Sequence, residues 1–237
     1  MIVISQPTYL PWSGYFDLID RSSIFVFLDD VQFERRSWQQ RNRIISKNEY
    51  LTISVPVQKK GKRSQLIKDV KIVNYNFKNK HISSIKNCYS KSKFFSNYFE
   101  EIKNIFDKNE NTQYLVDLNI NLIKWLCNKI GIKTVFMRSS ELDVSGKKSE
   151  KLINICLKLN KNNYLTSFGA IEYIKKDKGI FNVAGIEVSF QNYKQAPYKQ
   201  KSNFFLENPS ILDLLFKEGP NSLPIIRKGR AKDIVME

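Results

Sequence analysis

The first 43 residues contain two short apolar runs, each followed by polar residues, with a helical stretch between them. The run from Ile2 to Ile4 predicts one strand and residues 24–28 predict a second. A Gln-Pro-Thr-Tyr-Leu-Pro-Trp loop follows the first run, and Asp29 and Asp30 follow the second. Ligands of open α/β sheets bind outside the carboxyl ends of the strands. We therefore expect a strand–helix–strand unit with a binding site at that edge.

The rest of the chain continues to alternate strands with helices. Further strands are predicted at residues 50–57, 69–73 and 133–142, from residue 163 to a turn at Ser167, and at 185–193. Helical segments are predicted at 77–106, 114–130, 148–159 and 209–222, with Thr112 and Asn208 as caps. This alternation is typical of an α/β fold with a mostly parallel or mixed sheet flanked by helices. We expect one domain over 1–224, with a helical segment at about 77–130, and a charged, mobile tail at 225–237.

The composition is globular but strongly basic. The net charge is +16, yet 30 of the 39 basic residues are lysines scattered along the chain, which is typical of a solvated surface. Three widely spaced cysteines and the single His81 predict neither a disulfide framework nor a metal site. No apolar run approaches the ~18 residues that a membrane span needs, and no signal peptide is evident. We therefore expect a cytoplasmic protein without a membrane span.

The arginines are more informative than the lysines because they cluster. Five of the nine arginines fall between residues 35 and 63, namely Arg35, Arg36, Arg41, Arg43 and Arg63. The planar guanidinium group binds phosphate or carboxylate through two hydrogen bonds. The cluster therefore indicates an anion site, and the alternative is an ion-pair network with nearby acidic residues such as Glu34.

Polar residues at the other strand ends complete the predicted site. Asp29 and Asp30 are the candidate catalytic residues, as a general base, or else they cap a turn and pair with arginines. The aromatic residues near the first strand either stack on a ligand or form a core cluster. The predicted substrate contacts are Gln6, Tyr9, Trp12, Gly14, Tyr15, Gln32, Arg35, Arg36, Trp38, Arg41, Asn42, Arg63, Ser139, Ser140, Ser167, Gly169, Tyr198 and Gln200.

The N-terminal motifs resemble the WbqC-like family of bacterial proteins. They read QPTYLPWSGYF over residues 6–16, FLDDVQF over 27–33 and RSWQQRN over 36–42, and GKRSQ, SSEL, KSEKLI and PSILDLLF extend the match over almost the whole chain. The resemblance implies a setting in gene clusters for O-antigen, capsule or other surface glycans. It implies no particular reaction and no catalytic residue.

A second resemblance concerns the fold. In nucleotidylyltransferases and class I aminoacyl-tRNA synthetases (the HUP-like fold), the first strand leads to two histidines that flank a glycine at a helix start. Gly14 is similar to that glycine, but Trp12 and Tyr15 stand where the histidines would be. The resemblance implies that a phosphate-bearing ligand could dock there, whereas adenylating chemistry would lack its cations.

Three functional hypotheses follow. The first is a glycan-assembly enzyme that transfers an acyl or aminoacyl group to an amino sugar carried on a nucleotide. No tightly bound cofactor is implied; the donor would be an aminoacyl-tRNA or an acyl-CoA, so contact with tRNA is one expectation. The alternatives are a nucleotidyltransferase-like enzyme and a non-catalytic nucleotide- or RNA-binding protein, whose RNA affinity would depend strongly on salt.

Overall fold

The computed structural model describes residues 1–58, 61–62, 64–108 and 113–236. Its main sheet contains β1 (Ile2–Ser5), β2 (Ile24–Phe27), β5 (Val135–Arg138), β6 (Asn163–Thr166), β7 (Glu187–Phe190) and β8 (Ile234–Val235). The strand order is β5-β2-β1-β6-β7-β8, and only β8 is antiparallel to its neighbour. The predicted α/β fold with a mostly parallel sheet is confirmed. This order is compatible with the HUP-like fold, and that relationship remains a prediction.

Alternation along the short strands divides the core between the two faces of the sheet. Ile2, Ile4 and Val26 belong to one buried cluster, whereas Val3 and Phe25 belong to the other. The first face is covered by α5 (Lys148–Lys158), α6 (Ile171–Lys176) and α7 (Lys178–Val183). The second is covered by α1 (Ser13–Arg21), α4 (Leu115–Ile130) and α8 (Ile211–Glu218). Side chains that alternate between two covered faces explain why these strands are almost wholly apolar.

The connection from β2 to β5 carries most of the additional structure. It contains the hairpin of β3 (Arg41–Ser46) and β4 (Glu49–Ser54), followed by α2 (Phe77–Tyr89), α3 (Phe95–Lys108) and α4. Helix α4 ends at Gly131, whose φ of 85° is the left-handed conformation that glycine adopts readily. In its described residues, the predicted helical segment at 77–130 thus contains three helices.

Several local predictions were wrong. Strand β3 was not predicted, whereas the strand predicted at 50–57 is observed as β4 and pairs with it. Residues 67–69 form a short 3-10 turn, and the predicted strand at 69–73 makes only isolated bridges. Helix α8 begins at Ile211 because Ser210, not Asn208, caps it by accepting a hydrogen bond from the Leu212 amide. The predicted cap Thr112 lies outside the described residues.

Residues beyond 224 contribute to the fold. The expected boundary falls within α9 (Ser222–Lys228), and β8 then pairs with β7. Arg21 of α1 pairs with Asp233, and Arg230 pairs with Asp17 and Asp20. Mobility of this segment in solution remains a prediction. No helix in the described ranges is long and apolar enough to cross a membrane.

The buried His81 should make stability fall in mild acid. Its Nδ1 lies 2.7 Å from the Tyr9 hydroxyl, and burial lowers the pKa of His81 to about 4. Between pH 6.5 and 4 the unfolded chain therefore binds a proton that the folded chain does not. We expect His81→Gln to remove about 2 kcal/mol of the stability loss between pH 7 and pH 4.5, measured by urea unfolding. An unchanged acid dependence would contradict this account.

Asp213 should act in the opposite direction and provides an internal contrast. It is fully buried, accepts a hydrogen bond from Tyr198 at 2.8 Å, and burial raises the pKa of its carboxyl group to about 6. The folded chain thus holds a proton that the unfolded chain has lost between pH 3.8 and 6, so this carboxyl group lowers stability as pH rises. We expect Asp213→Asn to be more stable relative to the parent at pH 7.5 than at pH 4.5, in the same urea measurements.

Candidate functional site

Three adjoining cavities lie at the carboxyl ends of the central strands. The lysine cavity (about 720 Å³) and the central cavity (about 580 Å³) share Gln6, Leu28, Leu152 and Tyr173. The central cavity shares Thr8, Trp12 and Tyr15 with the smaller aromatic pocket (about 260 Å³). Together they form one groove above β1, β2 and β6. Its centre lies between β1 and β6, where the connections diverge to the two sides of the sheet, which is the usual ligand position in such folds.

The lysine cavity is lined by the start of α5. Lys147, Lys148 and Lys151 contribute three cations, against the single carboxylate of Asp30. Lys151 is nearly buried and donates to Asp30 Oδ2 at 2.7 Å. Lys147 and Lys148 are exposed and have no ion pair within the described ranges. The positive end of the helix dipole adds to this charge, so the cavity has the electrostatics of an anion site.

Gly146 allows the chain to turn into α5 at this point. Its φ is 101°, and a Cβ atom there would meet the Lys151 amide nitrogen at 3.1 Å and Glu150 Cγ at 3.0 Å. A side chain at position 146 would therefore displace the first turn of α5. The turn brings Lys147 and Lys148 to the rim of the cavity.

Asp29 is a fully buried carboxylate whose oxygens are already occupied. Oδ2 accepts hydrogen bonds from Arg138 Nε at 2.7 Å and Ser140 Oγ at 2.9 Å, and Oδ1 accepts one from the Ser140 amide at 3.0 Å. Its own amide donates to Ser139 Oγ. These contacts join the end of β2 to the end of β5. Asp29 is fully buried and lines none of the three cavities, so its carboxylate does not reach the groove.

Asp30 faces the groove instead. Its Oδ1 accepts a hydrogen bond from Ser139 Oγ at 2.5 Å, and its Oδ2 accepts one from Lys151. The side chain is 14% exposed and lines the lysine cavity. Each oxygen retains a lone pair, so Asp30 can still accept a proton from a ligand group. Of the two candidate catalytic residues, only Asp30 is placed to meet a ligand.

The loop after β1 forms the wall of the central cavity. The Tyr15 hydroxyl donates to the carbonyl oxygen of Gln6 at 3.0 Å, and the Gln6 side chain accepts from Gln39 at 2.7 Å. Gly14 is explained by the Trp12 ring, which lies so close that a Cβ atom would be 2.2 Å from it. The glycine therefore allows Trp12 to cover the first turn of α1.

The aromatic pocket is built mainly from ring systems. Trp12, Tyr15 and Trp38 line it with Thr8, Pro11, Asn42, Arg43 and Asn208. The Arg43 guanidinium carbon lies 4.2 Å from the ring centre of Tyr50 and 5.3 Å from that of Trp38. Trp38 is 48% exposed, although it is large and apolar. The pocket thus combines exposed aromatic surface with one cation.

The structure brings about half of the predicted contacts to the groove. Those that line one of its three cavities are Gln6, Trp12, Gly14, Tyr15, Gln32, Trp38, Asn42, Ser167 and Gly169. Ser139 and Ser140 lie just behind the groove as donors to Asp30 and Asp29. Whether any of them binds a ligand remains a prediction.

Three other predicted contacts lie in the protein's own packing. Tyr9 is fully buried and pairs with His81. Tyr198 donates to Asp213 under α8, and Gln200 exchanges two hydrogen bonds with Leu206. Asn42 also has a packing role at the pocket wall, because its amide donates to the carbonyl oxygens of Tyr9 and Leu10.

The clustered arginines do not converge on the groove. Arg35 lines a shallow cavity beside it, Arg36 is exposed in a turn with a φ of 59°, and Arg41 begins β3. Arg63 lies outside the described residues. Among the described members of the cluster, only Arg43 lines one of the three cavities of the groove. The cation that pairs with Asp30 is Lys151 of α5, 121 positions away in sequence.

Sequence reasoning missed these lysines, Tyr173 and Gln191. Lys147, Lys148 and Lys151 were treated as part of the scattered lysine surface, although the glycine directly before them could have indicated a turn into a helix. Gln191 lines the central cavity and donates to the Gly14 carbonyl oxygen and to Asp17. No local pattern distinguishes these residues from surface residues.

The fold and the groove define the class of α/β proteins whose sheet is covered by helices on both faces. The cleft lies at the strand ends between β1 and β6, where ligands bind in such folds. The model of the WbqC-like protein family matches residues 6–225, and the chain belongs to that family. It is also 31% identical over 227 residues to an uncharacterized protein of Mycobacterium tuberculosis, Rv1507c, a match that covers 95% of this chain and 97% of that protein. No solved structure matches the chain significantly.

The two aspartates should respond differently to the same substitution. Asp29→Asn places an amide donor against Arg138 or Ser140 in a buried position, so we expect a loss of about 3 kcal/mol in unfolding free energy. Asp30→Asn removes the charge from a mostly buried pair, but this pair opens onto the groove, where water can take the place of the lost contact, so we expect a smaller loss of about 2 kcal/mol. Urea unfolding of both variants measures the contrast. Equal losses would contradict the assignment of Asp29 to structure and Asp30 to the groove.

Proposed function

We propose that this protein is an enzyme of bacterial surface-glycan synthesis that transfers an acyl or aminoacyl group to an amino sugar carried on a nucleotide. Membership in the WbqC-like family supports the setting, because the resemblance to that family implies gene clusters for O-antigen, capsule or other surface glycans. The observation that carries the proposal is the groove, in which Lys147 and Lys148, which form no ion pair with the described residues, line the same cavity as the Asp30 carboxylate.

The charge distribution favours a phosphorylated ligand. Lys147 and Lys148 have no carboxylate partner within the described part of the chain, and they lie beside the positive end of α5. A diphosphate at this point would gain charge-assisted hydrogen bonds from both ammonium groups. The sugar attached to it would then extend along the lysine cavity towards Asp30.

Asp30 supplies the chemistry that amide formation needs. The sugar amine nitrogen attacks the acyl carbonyl carbon, so that an N–C bond forms and the C–S bond of a thioester, or the C–O bond of an aminoacyl ester, breaks. Asp30 accepts the proton released by the amine, and that proton passes to the departing thiolate or ribose oxygen. Lys151 holds the carboxylate at 2.7 Å and keeps it oriented.

Binding of the sugar nucleotide is the first test. We expect UDP- or dTDP-linked amino sugars to bind in calorimetry, and the double variant Lys147→Ala/Lys148→Ala to weaken binding about tenfold or more, because two charge-assisted contacts are lost. Lys158→Ala is the matched control, since Lys158 is an exposed lysine at the other end of the same helix. Equal affinity of all three proteins would exclude the lysine cavity as the phosphate site.

Turnover is the second test. With an acyl-CoA or an aminoacyl-tRNA present, mass spectrometry should detect the N-acylated sugar nucleotide. We expect Asp30→Asn to reduce kcat about a hundredfold or more while sugar-nucleotide affinity changes little, because the base acts in the chemical step. Pyrophosphate release from a nucleoside triphosphate would instead indicate nucleotidyl transfer. Salt-dependent RNA binding without sugar-nucleotide binding would indicate a nucleic-acid-binding protein.

A further inference from the structure

The aromatic pocket contains a cation that lacks an anionic partner. Arg43 forms no ion pair within the described ranges, and its buried Nε atom has no hydrogen-bond partner there. Its charge is stabilised by two aromatic rings. The guanidinium carbon lies 4.2 Å from the ring centre of Tyr50 and 5.3 Å from that of Trp38. An arginine held in this way by rings is preorganised to bind an incoming anion.

The remainder of the pocket suits a flat ring. Its volume of about 260 Å³ is below the ~300–1,000 Å³ typical of whole drug-sized ligands, so it can accept one ring system. Trp12 and Trp38 supply aromatic faces. The side-chain amide of Asn42 is already used by Tyr9, Leu10 and the Arg43 amide. A sugar ring would need hydrogen bonds for its hydroxyl groups, whereas a nucleobase can bind mainly by stacking.

The aromatic pocket adjoins the central cavity through Thr8, Trp12 and Tyr15. The lysine cavity adjoins the central cavity through a different set of residues. A ligand in the aromatic pocket and a sugar nucleotide on the lysines would therefore approach each other from opposite ends of the groove. A two-substrate transfer reaction requires such an arrangement.

We infer that the aromatic pocket binds the adenosine phosphate end of the acyl donor, with the base between Trp12 and Trp38 and the phosphate on Arg43. This inference rests on the proposed function. Both donor classes contain that chemistry, because coenzyme A carries a phosphorylated adenosine and a tRNA ends in adenosine. The same pocket could thus receive either donor, and the two sources are separated by experiment.

Tryptophan fluorescence provides the test. The chain has three tryptophans, of which Trp12 and Trp38 line the pocket and Trp125 contacts Glu101 elsewhere. We expect AMP, free coenzyme A and a short RNA ending in CCA to quench the emission in the full-length protein. Trp38→Ala and Arg43→Gln should each weaken the best of these ligands about tenfold, because stacking or the phosphate contact is lost. Trp125→Phe is the matched control and should leave the affinity unchanged.

A competition arm separates this subsite from the sugar-nucleotide site. A saturating UDP-amino sugar should leave binding of the adenosine phosphate intact, and Lys147→Ala/Lys148→Ala should leave it intact as well. The tighter of coenzyme A and the CCA-ended RNA identifies the donor. Displacement by the UDP-amino sugar, affinity unchanged in Trp38→Ala and Arg43→Gln, or no quenching by any adenosine phosphate would each overturn the inference. Quenching sensitive to both variants, without any sugar-nucleotide binding, would retain the subsite and reject the proposed function.

Discussion

The buried carboxylate of Asp29 joins the ends of β2 and β5 at the sheet edge that carries the groove. It accepts hydrogen bonds from Arg138 and from both the amide and the hydroxyl of Ser140, residues more than 100 positions away in the chain. The whole segment from β3 to α4 lies between Asp29 and Arg138 in the chain. Their hydrogen bond therefore fixes the positions at which this segment leaves the sheet after β2 and returns to it at β5. Because a buried charge is costly unless it is paired and hydrogen-bonded, the ends of β2 and β5 are held in one arrangement. The position of Asp30 at the groove follows from it.

The two ends of the groove differ in chemical character. At one end, lysines and a helix start provide positive charge around a single carboxylate. At the other, tryptophan rings and Arg43 provide flat surface and one cation. The polar loop after β1 lies between them. Tyr15 donates a hydrogen bond to the Gln6 carbonyl oxygen in that loop, and Gln191 donates one to the Gly14 carbonyl oxygen in the first turn of α1. Charge and stacking act on different parts of a ligand, and this difference between the two ends is the basis of the proposal that two substrates meet in the groove.

Local sequence patterns predicted the elements that depend only on the burial of apolar residues and on backbone conformation. Strands with apolar side chains on both faces and the helix that ends at Gly131 could be read directly, since burial and backbone conformation leave few alternatives. In the hairpin, β4 was predicted but β3 was not, because the charged residues Arg41 and Arg43 flank the buried Asn42 and obscure the strand pattern. The predicted convergence of the clustered arginines on one site failed for a similar reason. The chain turns at Arg36 and then forms β3, so arginines that are neighbours in sequence point in different directions.

The sequence by itself determined the α/β class, the family and the location of a polar edge after β1 and β2, because periodicity and motifs are properties of neighbouring residues. Only the tertiary structure decided that Asp29 is enclosed while Asp30 is open, and that Lys147, Lys148 and Lys151 join Asp30 around one cavity. Those assignments depend on which strand ends lie side by side and which helix starts there. Such contacts join residues over 100 positions apart, and no local pattern encodes them.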